Sequence, residues 1–295
     1  MKVHTRQDYM QRIDRVVALL QVAVEQGGEL PELAQLAAAA HLSPFHFHRI
    51  YRALAGETLG QTVARLRLLR ALHLLAEPES RVTEAALAVG YETSQAFARA
   101  FRQAFGTTPS DMRGQRERLG EAIERLRQPP AERDARAAVL KVEVVSVEPF
   151  RVVARRYVGD PRNLDQVYAG LFEWAAERSL LDRLDGIYGV PHDDPRDVPP
   201  EQCLFDCGLA FSGTEVRADG DLQPLQLGGG SWARCRHVGS YDDLYDVTDR
   251  LIAGWLPGSG YVLRDELPFR HFLDDPEETP EAVLRADIYL PVAPC

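Results

Sequence analysis

The 295-residue chain has only four cysteines and no long apolar run, and these two shortages exclude several classes of protein. No segment approaches the roughly 20 consecutive apolar residues that a membrane-spanning helix needs. The first residues, Met1 to Arg6, lack the apolar core of a secretion signal. Polar low-complexity tracts, which are typical of disorder, are also missing. We therefore expect a folded cytoplasmic protein without a membrane partner.

The cysteines are too scattered for a disulfide framework or a zinc site. Cys203 and Cys207 lie on a predicted strand, where four residues span about 13 Å, which is too far for a disulfide. Cys235 and Cys295 complete the set, and a zinc site needs closer clustering than this. We interpret all four cysteines as structural or incidental, and we expect neither a metal nor another cofactor.

The net charge of −10 hides an asymmetry between the two halves of the chain. Residues 1–128 carry a net charge of +3, whereas residues 129–295 carry −13. A basic half beside an acidic half is compatible with a DNA-binding domain joined to a domain that avoids phosphate. The chain length also favours two domains. We place the first domain at residues 1–128, a linker at 129–139 and the second domain at 140–295.

Up to about residue 128, the apolar residues follow the 3.6-residue period of helices, interrupted by capping residues, glycine and proline. The pattern predicts two helix-turn-helix units separated by one long helix. That long helix begins after Thr58 and ends before Pro78. In the second unit, Thr83 is predicted to cap a short helix and Gly90 to turn the chain. A last helix is predicted from Pro109 to Arg127.

After the linker, β-branched and aromatic residues become frequent, which favours strands. Residues 154–159 (ARRYVG) precede a predicted helix with Trp174, and residues 234–239 (RCRHVG) precede another with Trp255. Each feature recurs after about 80 residues, so we infer a duplicated strand-helix-strand-strand unit. The predicted fold is multidomain: an all-α double helix-turn-helix domain, followed by a duplicated α+β domain with a central groove.

Two segments of the helical half resemble the AraC-type transcriptional regulators. One is residues 42–52 (LSPFHFHRIYR), and the other combines residues 89–91 (VGY), residues 99–101 (RAF) and Thr108-Pro109. The likeness extends over residues 8–113 and includes the spacing between the two units. It implies that the second helix of each unit lies in the major groove of duplex DNA.

Carried over by position, the resemblance implies a set of side chains that contact DNA. Arginine can donate two hydrogen bonds to guanine, and glutamine can pair with adenine. Arg49 and Arg99 occupy matching places in the two units, so we favour base contacts for both over solvated surface charge. Arg52 and Arg102 suit contacts to phosphate. The full set is Phe45, His48, Arg49, Arg52, Ser94, Gln95, Ala98, Arg99 and Arg102.

The second half resembles the gyrase-inhibitor-like (GyrI-like) effector domains that are often fused to such regulators. The likeness covers residues 140–293 and rests on residues 236–239 (RHVG), 255–261 (WLPGSGY) and 287–291 (DIYLP), among others. Members of that family bind hydrophobic, often cationic compounds in the groove between the two repeats. The resemblance therefore implies a small-molecule site in the second half of the chain.

The predicted groove departs from the family at the position of Arg270, where a glutamate is common. Because a guanidinium repels a desolvated cation, we expect the groove to prefer neutral or anionic aromatic compounds. Asp206 is expected to face the groove beside Arg270, as a structural ion pair or as part of the ligand site. The other expected members are Phe272, where the family usually has tyrosine, and two aromatic walls, Tyr289 and Trp255. The core is an alternative place for Trp255.

The sequence therefore predicts a sequence-specific DNA-binding transcriptional regulator whose second domain binds a small aromatic or lipophilic effector. Duplex DNA and the effector are the expected partners, and RNA polymerase is a further candidate. Two alternatives stay open: a protein that sequesters drugs, and a hydrolase derived from the effector domain. We assign no catalytic residue, because the sequence has no nucleophile elbow, metal-ligand set or glycine-rich phosphate loop. Glu173 and Glu266 could in principle act as bases, but we expect both to face solvent.

Overall fold

The computed structural model describes residues 2–42, 44–127, 140–213 and 216–295, without the side chains of residues 2–6 and 44–46. Two compact units are present, a helical one that begins at Gln7 and an α+β one that ends at Cys295. The predicted linker, residues 129–139, lies outside the described residues. Its boundaries therefore stay a prediction.

From Lys2 to Arg127, the described chain consists of helices joined by short turns. The helices are α1 (Lys2–Gln26), α2 (Leu33–Ala39), α3 (Pro44–Ala55), α4 (Leu59–Ala76), α5 (Val82–Ala88), α6 (Ser94–Phe105), α7 (Pro109–Arg113) and α8 (Arg116–Arg127). The pairs α2–α3 and α5–α6 are the two predicted helix-turn-helix units, and α4 is the long helix between them. At its start, Thr58 accepts a hydrogen bond from the backbone of Gln61, whose side chain bonds back to Thr58.

Two predicted helix limits in this unit are wrong. Helix α5 begins at Val82 rather than after Thr83, two residues earlier, and Val82 packs against the apolar core beneath the helix. The helix predicted from Pro109 to Arg127 is divided into α7 and α8, which are separated at Gly114 and Gln115. Glycine is a poor helix former, so the chain can end α7 there at little cost.

The second unit is an antiparallel sheet with helices. Its strands are β1 (Val142–Ser146), β2 (Phe150–Val158), β3 (Leu184–Pro191), β4 (Leu204–Phe211), β5 (Leu222–Leu227), β6 (Ser231–Val238), β7 (Tyr261–Leu263), β8 (Phe269–Phe272) and β9 (Arg285–Pro294). Its helices are α9 (Leu164–Glu177), α10 (Leu244–Arg250) and α11 (Leu256–Ser259), the last two joined by one π-helical stretch, Leu251–Trp255. The strand order is β1-β6-β9-β8-β3-β4-β2-β5, and β7 pairs with β9.

The predicted duplication is confirmed by the order of these elements. One repeat is β2-α9-β3-β4, the other is β6-α10-β8-β9, and the strands β3 and β8 pair where the repeats meet. Corresponding backbone bonds close the two repeats in the same way. The amide of Gly159 donates to the carbonyl of Cys203, and the amide of Gly239 donates to that of Leu284. These matching bonds support an origin by repetition of one unit.

The sheet has two distinct faces, because successive residues of a strand point to opposite sides and paired residues of neighbouring strands point to the same side. On the helix face, Phe205, Cys207 and Leu209 of β4 pack against Leu171 and Trp174 of α9. Alternate residues of β4 thus form an apolar face. The opposite face has a separate core, formed by Val152, Ala154, Val190, Ala210, Leu227, Trp232 and Phe269.

Candidate DNA-reading face and effector site

Helix α6 is anchored on one side by a row of buried phenylalanines. Phe97, Phe101 and Phe105 are buried, and the centroids of successive rings are 5.5 and 4.6 Å apart. The hydroxyl of Thr93 caps the amino end, and Gly106 ends the helix in the left-handed conformation with φ of 67°. Because both ends and one face are held, the remaining surface of the helix has a defined orientation.

Four of the five predicted reading residues of α6 lie together on that remaining surface. Ser94, Gln95, Arg99 and Arg102 are exposed, and Ala98 is half-buried. Residues three and four apart lie on one side of a helix, so Gln95, Ala98, Arg99 and Arg102 form a continuous stripe away from the phenylalanines. Ser94 lies on the side of the phenylalanines but is exposed in the first turn. The structure therefore brings four of the five predicted contacts of the second unit onto one surface and leaves the fifth accessible at the amino end.

Helix α3 differs from α6 in the accessibility of its predicted contacts. Arg49 and Arg52 are only 8% and 7% exposed, and His48 is half-buried. Both arginines already take part in interactions in this structure. The side chain of Phe45 lies outside the described residues. A reading face needs accessible donors, so the DNA contacts of α3 stay a prediction that the observed burial does not favour.

A buried polar network ties α3 to α4, and sequence reasoning missed it. The hydroxyls of Tyr51 and Thr62 are 2.7 Å apart, and Thr62 donates to the carboxylate of Glu57 at 2.9 Å. Arg65 donates to both oxygens of Glu57. Burial raises the pKa of Tyr51 to about 12, so its hydroxyl stays protonated and donates to Thr62. This network fixes the first helix-turn-helix unit against the long helix.

Asp206 lies on the opposite face of the sheet from Arg270, so the predicted neighbourhood of these two residues is wrong. Cys207 pairs with Gly189, and Gly189 pairs with Arg270, which places Arg270 on the helix face with Cys207. Asp206, the next residue along β4, must point the other way. Its actual partners are Arg156, whose Nε and Nη2 donate at 2.8 and 2.9 Å, and His192 at 2.7 Å.

The surroundings of Asp206 keep its carboxylate ionised. Asp206 is 1% exposed, and burial by itself acts to raise its pKa. Hydrogen bonds from His192 and Arg156 outweigh that effect and lower the pKa of Asp206 to about 2. A pair of the same kind joins Arg236 to Asp287 in the other repeat. These two pairs lie on the same face and link neighbouring strands, so we assign them a structural role.

Arg270 lies on the central strand β8 and is 5% exposed. Its guanidinium carbon is 4.2 Å from the ring centroid of Tyr245 in α10 and 6.0 Å from that of Phe205 in β4. Its Nε and Nη2 atoms are buried and have no hydrogen-bond partner among the described residues. Burial lowers the pKa of Arg270, but a guanidinium remains charged in a protein. The helix face therefore contains a buried cation with two unused donors.

Aromatic side chains from both repeats surround this arginine. The ring of Phe272, two residues further along β8, is 5.9 Å from that of Tyr168 in α9 and 5.0 Å from that of Tyr241. Phe272, Tyr168 and Tyr241 are half-buried, so they border the buried arginine without sealing it. We call this group the Arg270 cluster; it comprises Tyr168, Phe205, Tyr241, Tyr245, Arg270 and Phe272.

Gly189 leaves space for the rings of Phe205 and Phe272 to pack directly on the sheet. A Cβ atom at this position would lie 2.7 Å from Phe205 and 2.9 Å from Phe272, closer than packed carbon atoms approach. The sequence pattern indicated Arg270 and Phe272 but not Gly189, Tyr168 and Tyr245. No local pattern marks these three residues, because they meet only when β3 pairs with β8 and helices α9 and α10 pack on the sheet.

The two predicted aromatic walls lie elsewhere. Tyr289 is on the opposite face of the sheet, where its ring stacks on Phe269 with centroids 4.5 Å apart. Trp255 ends the π-helical stretch and stacks on Tyr261 at 6.2 Å. Neither makes a ring contact with the Arg270 cluster in the part of the chain that the structure describes. The predicted effector site is therefore reduced to Arg270 and Phe272.

Four side chains of the second unit, two cysteines and two glutamates, bear on whether it could hydrolyse a ligand. Burial raises the pKa of Cys203 to about 11 and that of Cys207 to about 12, which makes both thiols weak nucleophiles. Glu173 and Glu266 are exposed, and Glu266 pairs with Arg264. Within the described ranges, no cluster of His, Cys, Asp or Glu is suited to a metal ion, and no helix could cross a membrane.

Comparison with known families assigns both units. Residues 140–293 match the model of the GyrI-like small molecule binding domain. Residues 36–115 match a helix-turn-helix domain. The two matches occupy the regions that the sequence resemblance had indicated, and they confirm it.

Individual relatives agree with this assignment. A probable transcriptional regulator, YgiV of Escherichia coli K12, is 30% identical over 156 residues, which are 52% of this chain and 97% of that protein. The MmsAB operon regulatory protein of Pseudomonas aeruginosa is 41% identical over 90 residues, 30% of this chain and 29% of that protein.

Among solved structures, the crystal structure of a hydrolase from Listeria innocua is similar over 55% of this chain and 96% of the hydrolase chain, with 14% identity and a TM-score of 0.39. At that TM-score, the likeness carries no weight for function.

The AraC-type helix-turn-helix domain accounts for the anchored helices of the first unit, and the duplicated sheet accounts for the second. The chain therefore belongs to the family with a GyrI-like small molecule binding domain and is a DNA-binding transcriptional regulator with an effector-binding domain.

Proposed function

We propose that helix α6 reads the bases of a specific DNA site and that an aromatic small molecule, bound at the Arg270 cluster, controls this regulator. The observation that carries the first part is the exposed stripe on α6. In helix-turn-helix proteins, residues at the amino end of the second helix contact base edges. Ser94 and Gln95 lie at that end of α6 and are exposed, and Arg99 follows one turn later.

Each side chain of the stripe has a chemical role that fits DNA. Arg99 can donate two hydrogen bonds to guanine, and Gln95 can bond to adenine in two places. The methyl group of Ala98 can contact the methyl group of thymine. Arg102, further along the helix, suits a phosphate, which positions the helix without reading sequence.

The test of base reading is selection of bound sequences from random duplex DNA by the full chain and by Arg99→Ala. The substitution should weaken binding to the selected site by about 1–3 kcal/mol and relax the preference at one base pair. The matched control is Arg116→Ala, because Arg116 is equally exposed but lies on α8. The control variant should select the same DNA sequence as the wild-type chain. Equal weakening on all sequences by Arg99→Ala would reduce Arg99 to a phosphate contact.

For helix α3, we propose a smaller contribution to base reading, because Arg49 and Arg52 are buried. Arg49→Ala separates the two roles of this residue. If Arg49 is structural, the variant loses thermal stability and keeps the selected sequence. If Arg49 becomes accessible when the protein binds DNA, the variant loses base preference at one position of the site, different from the position affected by Arg99→Ala.

The effector site is tested with a neutral aromatic probe, 2-naphthamide, titrated calorimetrically into the full chain. We expect Phe272→Ala to weaken binding at least about threefold, since aromatic contacts contribute about 0.5–1.5 kcal/mol beyond their area. Tyr289→Ala is the matched control, because Tyr289 lies on the opposite face of the sheet. The reverse result would place the site on that opposite face.

We also propose that the effector is bound without being hydrolysed, which the weak nucleophilicity of the buried thiols supports. We further propose that the DNA-bound regulator contacts RNA polymerase in the cytoplasm, which membership of the regulator family supports. The full chain should not accelerate hydrolysis of 2-naphthyl acetate above the buffer rate. Transcription in vitro from a promoter with the selected site should depend on the protein.

A further inference from the structure

The unpartnered donors of Arg270 point to an anionic ligand. We propose that the Arg270 cluster binds a single carboxylate attached to an aromatic body. This inference rests on the proposed effector role of the same cluster. It specifies the charge that the site selects, which is the reverse of the cationic preference implied by resemblance to the family.

The first observation is the burial of an unsatisfied cation. Arg270 is 5% exposed, yet Nε and Nη2 have no hydrogen-bond partner among the described residues. Buried polar groups in proteins are almost always hydrogen-bonded, and a buried charge without a partner is destabilising. A ligand that supplies the missing acceptor removes this cost, so satisfying Arg270 adds to the free energy of ligand binding.

The second observation is how the other arginines of this unit use the same two atoms. Nε and Nη2 lie along one edge of the guanidinium, which matches the two oxygens of a carboxylate. This edge binds Asp206 in the case of Arg156, with distances of 2.8 and 2.9 Å. In Arg285, it binds Asp274 at 2.8 and 2.7 Å. Arg270 has the same edge without a protein carboxylate on it.

Two nearby groups, Asp194 and Tyr168, are bonded to other residues, and the side chain of Tyr245 interacts with Arg270 and favours its charged form. Asp194 is the carboxylate that acts electrostatically on Arg270, and both of its oxygens accept hydrogen bonds from Arg196. The hydroxyl of Tyr168 donates to the carbonyl of Tyr188 at 2.8 Å. None of these groups accepts a hydrogen bond from Nε or Nη2 of Arg270. A carboxylate on a ligand supplies the two oxygens that fit this edge.

The surroundings restrict the rest of the ligand. Phe272, Tyr168 and Tyr241 are half-buried rings beside Arg270, so they favour an aromatic body next to the carboxylate. Residues 129–295 carry a net charge of −13, which repels polyanions at long range. One carboxylate on an aromatic ring satisfies both conditions, whereas a nucleotide or polyphosphate does not.

The experiment compares three probes of one shape by isothermal titration with the full chain: 2-naphthoate, neutral 2-naphthamide and cationic 2-naphthylmethylamine. Wild type should bind 2-naphthoate at least about tenfold more tightly than the amide, because a two-donor bond to a carboxylate is a strong one. Arg270→Gln should abolish that preference. The control Arg217→Gln makes the same charge change on an exposed residue and should keep it.

The outcomes separate this inference from the proposed effector site. If the amide binds in a manner that depends on Phe272 while 2-naphthoate gains no preference, the site stands and the anion inference is wrong. The same holds if the cation binds wild type best or if Arg270→Gln keeps the preference. If none of the three probes binds, both proposals are overturned. Circular dichroism verifies the fold of each variant, and the charge preference of wild type decides the question even if Arg270→Gln does not fold.

Discussion

The two faces of the sheet use buried charge in different ways. On one face, Arg156 and Arg236 each hold an aspartate that is almost completely buried. On the helix face, Arg270 is itself buried and has two donors without an acceptor among the described residues. In the first case the chain supplies the acceptor, and removing one partner would leave the other buried charge unpaired. In the second case two donors stay unsatisfied, and this difference is the basis for proposing a binding role for Arg270 rather than a structural one.

The largest effect should follow from breaking the pair on the first face. Asp206→Ala leaves Arg156 and His192 without their shared acceptor, and it should lower the free energy of unfolding by about 3 kcal/mol. Urea unfolding followed by tryptophan fluorescence measures this effect. The signal reports the second unit alone, because Trp174, Trp232 and Trp255 are the only tryptophans. Unchanged stability would show that the pair is not structural.

The next effect is the acid sensitivity of the same pair. The pKa of Asp206 is about 2 in the folded protein, below its ordinary value of 3.8. A carboxyl group whose pKa is lowered by folding stabilises the folded protein at pH values above its ordinary pKa. This stabilisation is lost as the pH falls from about 4 towards 2. The loss should be roughly 2 kcal/mol, measured by urea unfolding along a pH series. Asp206→Asn should lack this component of the pH dependence.

A smaller effect of opposite sign is expected on the helix face. Arg270→Met removes a buried cation with two unsatisfied donors and keeps an apolar side chain of similar length. In the absence of ligand it should raise the Tm by about 2–4 °C, corresponding to about 1 kcal/mol. Arg156→Met is the matched control and should be destabilising, because Asp206 then loses its partner. Destabilisation by both variants would mean that the chain itself satisfies Arg270.

The smallest effect should come from an arginine pair at the surface. Arg285 binds Asp274 with the same two-atom geometry, but Asp274 is 13% exposed whereas Asp206 is 1% exposed. The backbone amide of Arg285 also donates to Asp274, and this bond is kept in a side-chain variant. Water can replace such a partner, so Arg285→Gln should leave the Tm unchanged within error in a thermal melt. A clear loss would indicate that geometry, rather than burial, decides the strength of these pairs.

Local signals predicted the helical unit well. Thr58 caps α4 as expected, and Gly90 and Gly106 adopt the left-handed conformation that ends a helix. Such signals act within a few residues, so they can be read without knowing the rest of the fold. Burial of the arginines in α3 was not predictable in this way. Arg49 and Arg99 occupy matching places in matching units, yet only Arg99 is exposed.

The effector site shows more clearly what local sequence patterns cannot predict. Cys207 and Asp206 are neighbours on β4 and face opposite sides of the sheet, as the alternation of side chains along a strand requires. The side on which Arg270 lies depends on β3 being placed between β4 and β8, and on the register of both pairings. A shift of one residue in either register would move Arg270 to the other face. The predicted partnership with Asp206 was wrong for this reason.

The sequence by itself determined the elements, the repeat and the residue types available for binding, because periodicity, caps and spacing are properties of short segments. Only the tertiary structure decided which carboxylate binds each arginine and that, among the described residues, none bonds to Arg270. Those partnerships depend on strand order and register, which join residues far apart in the chain.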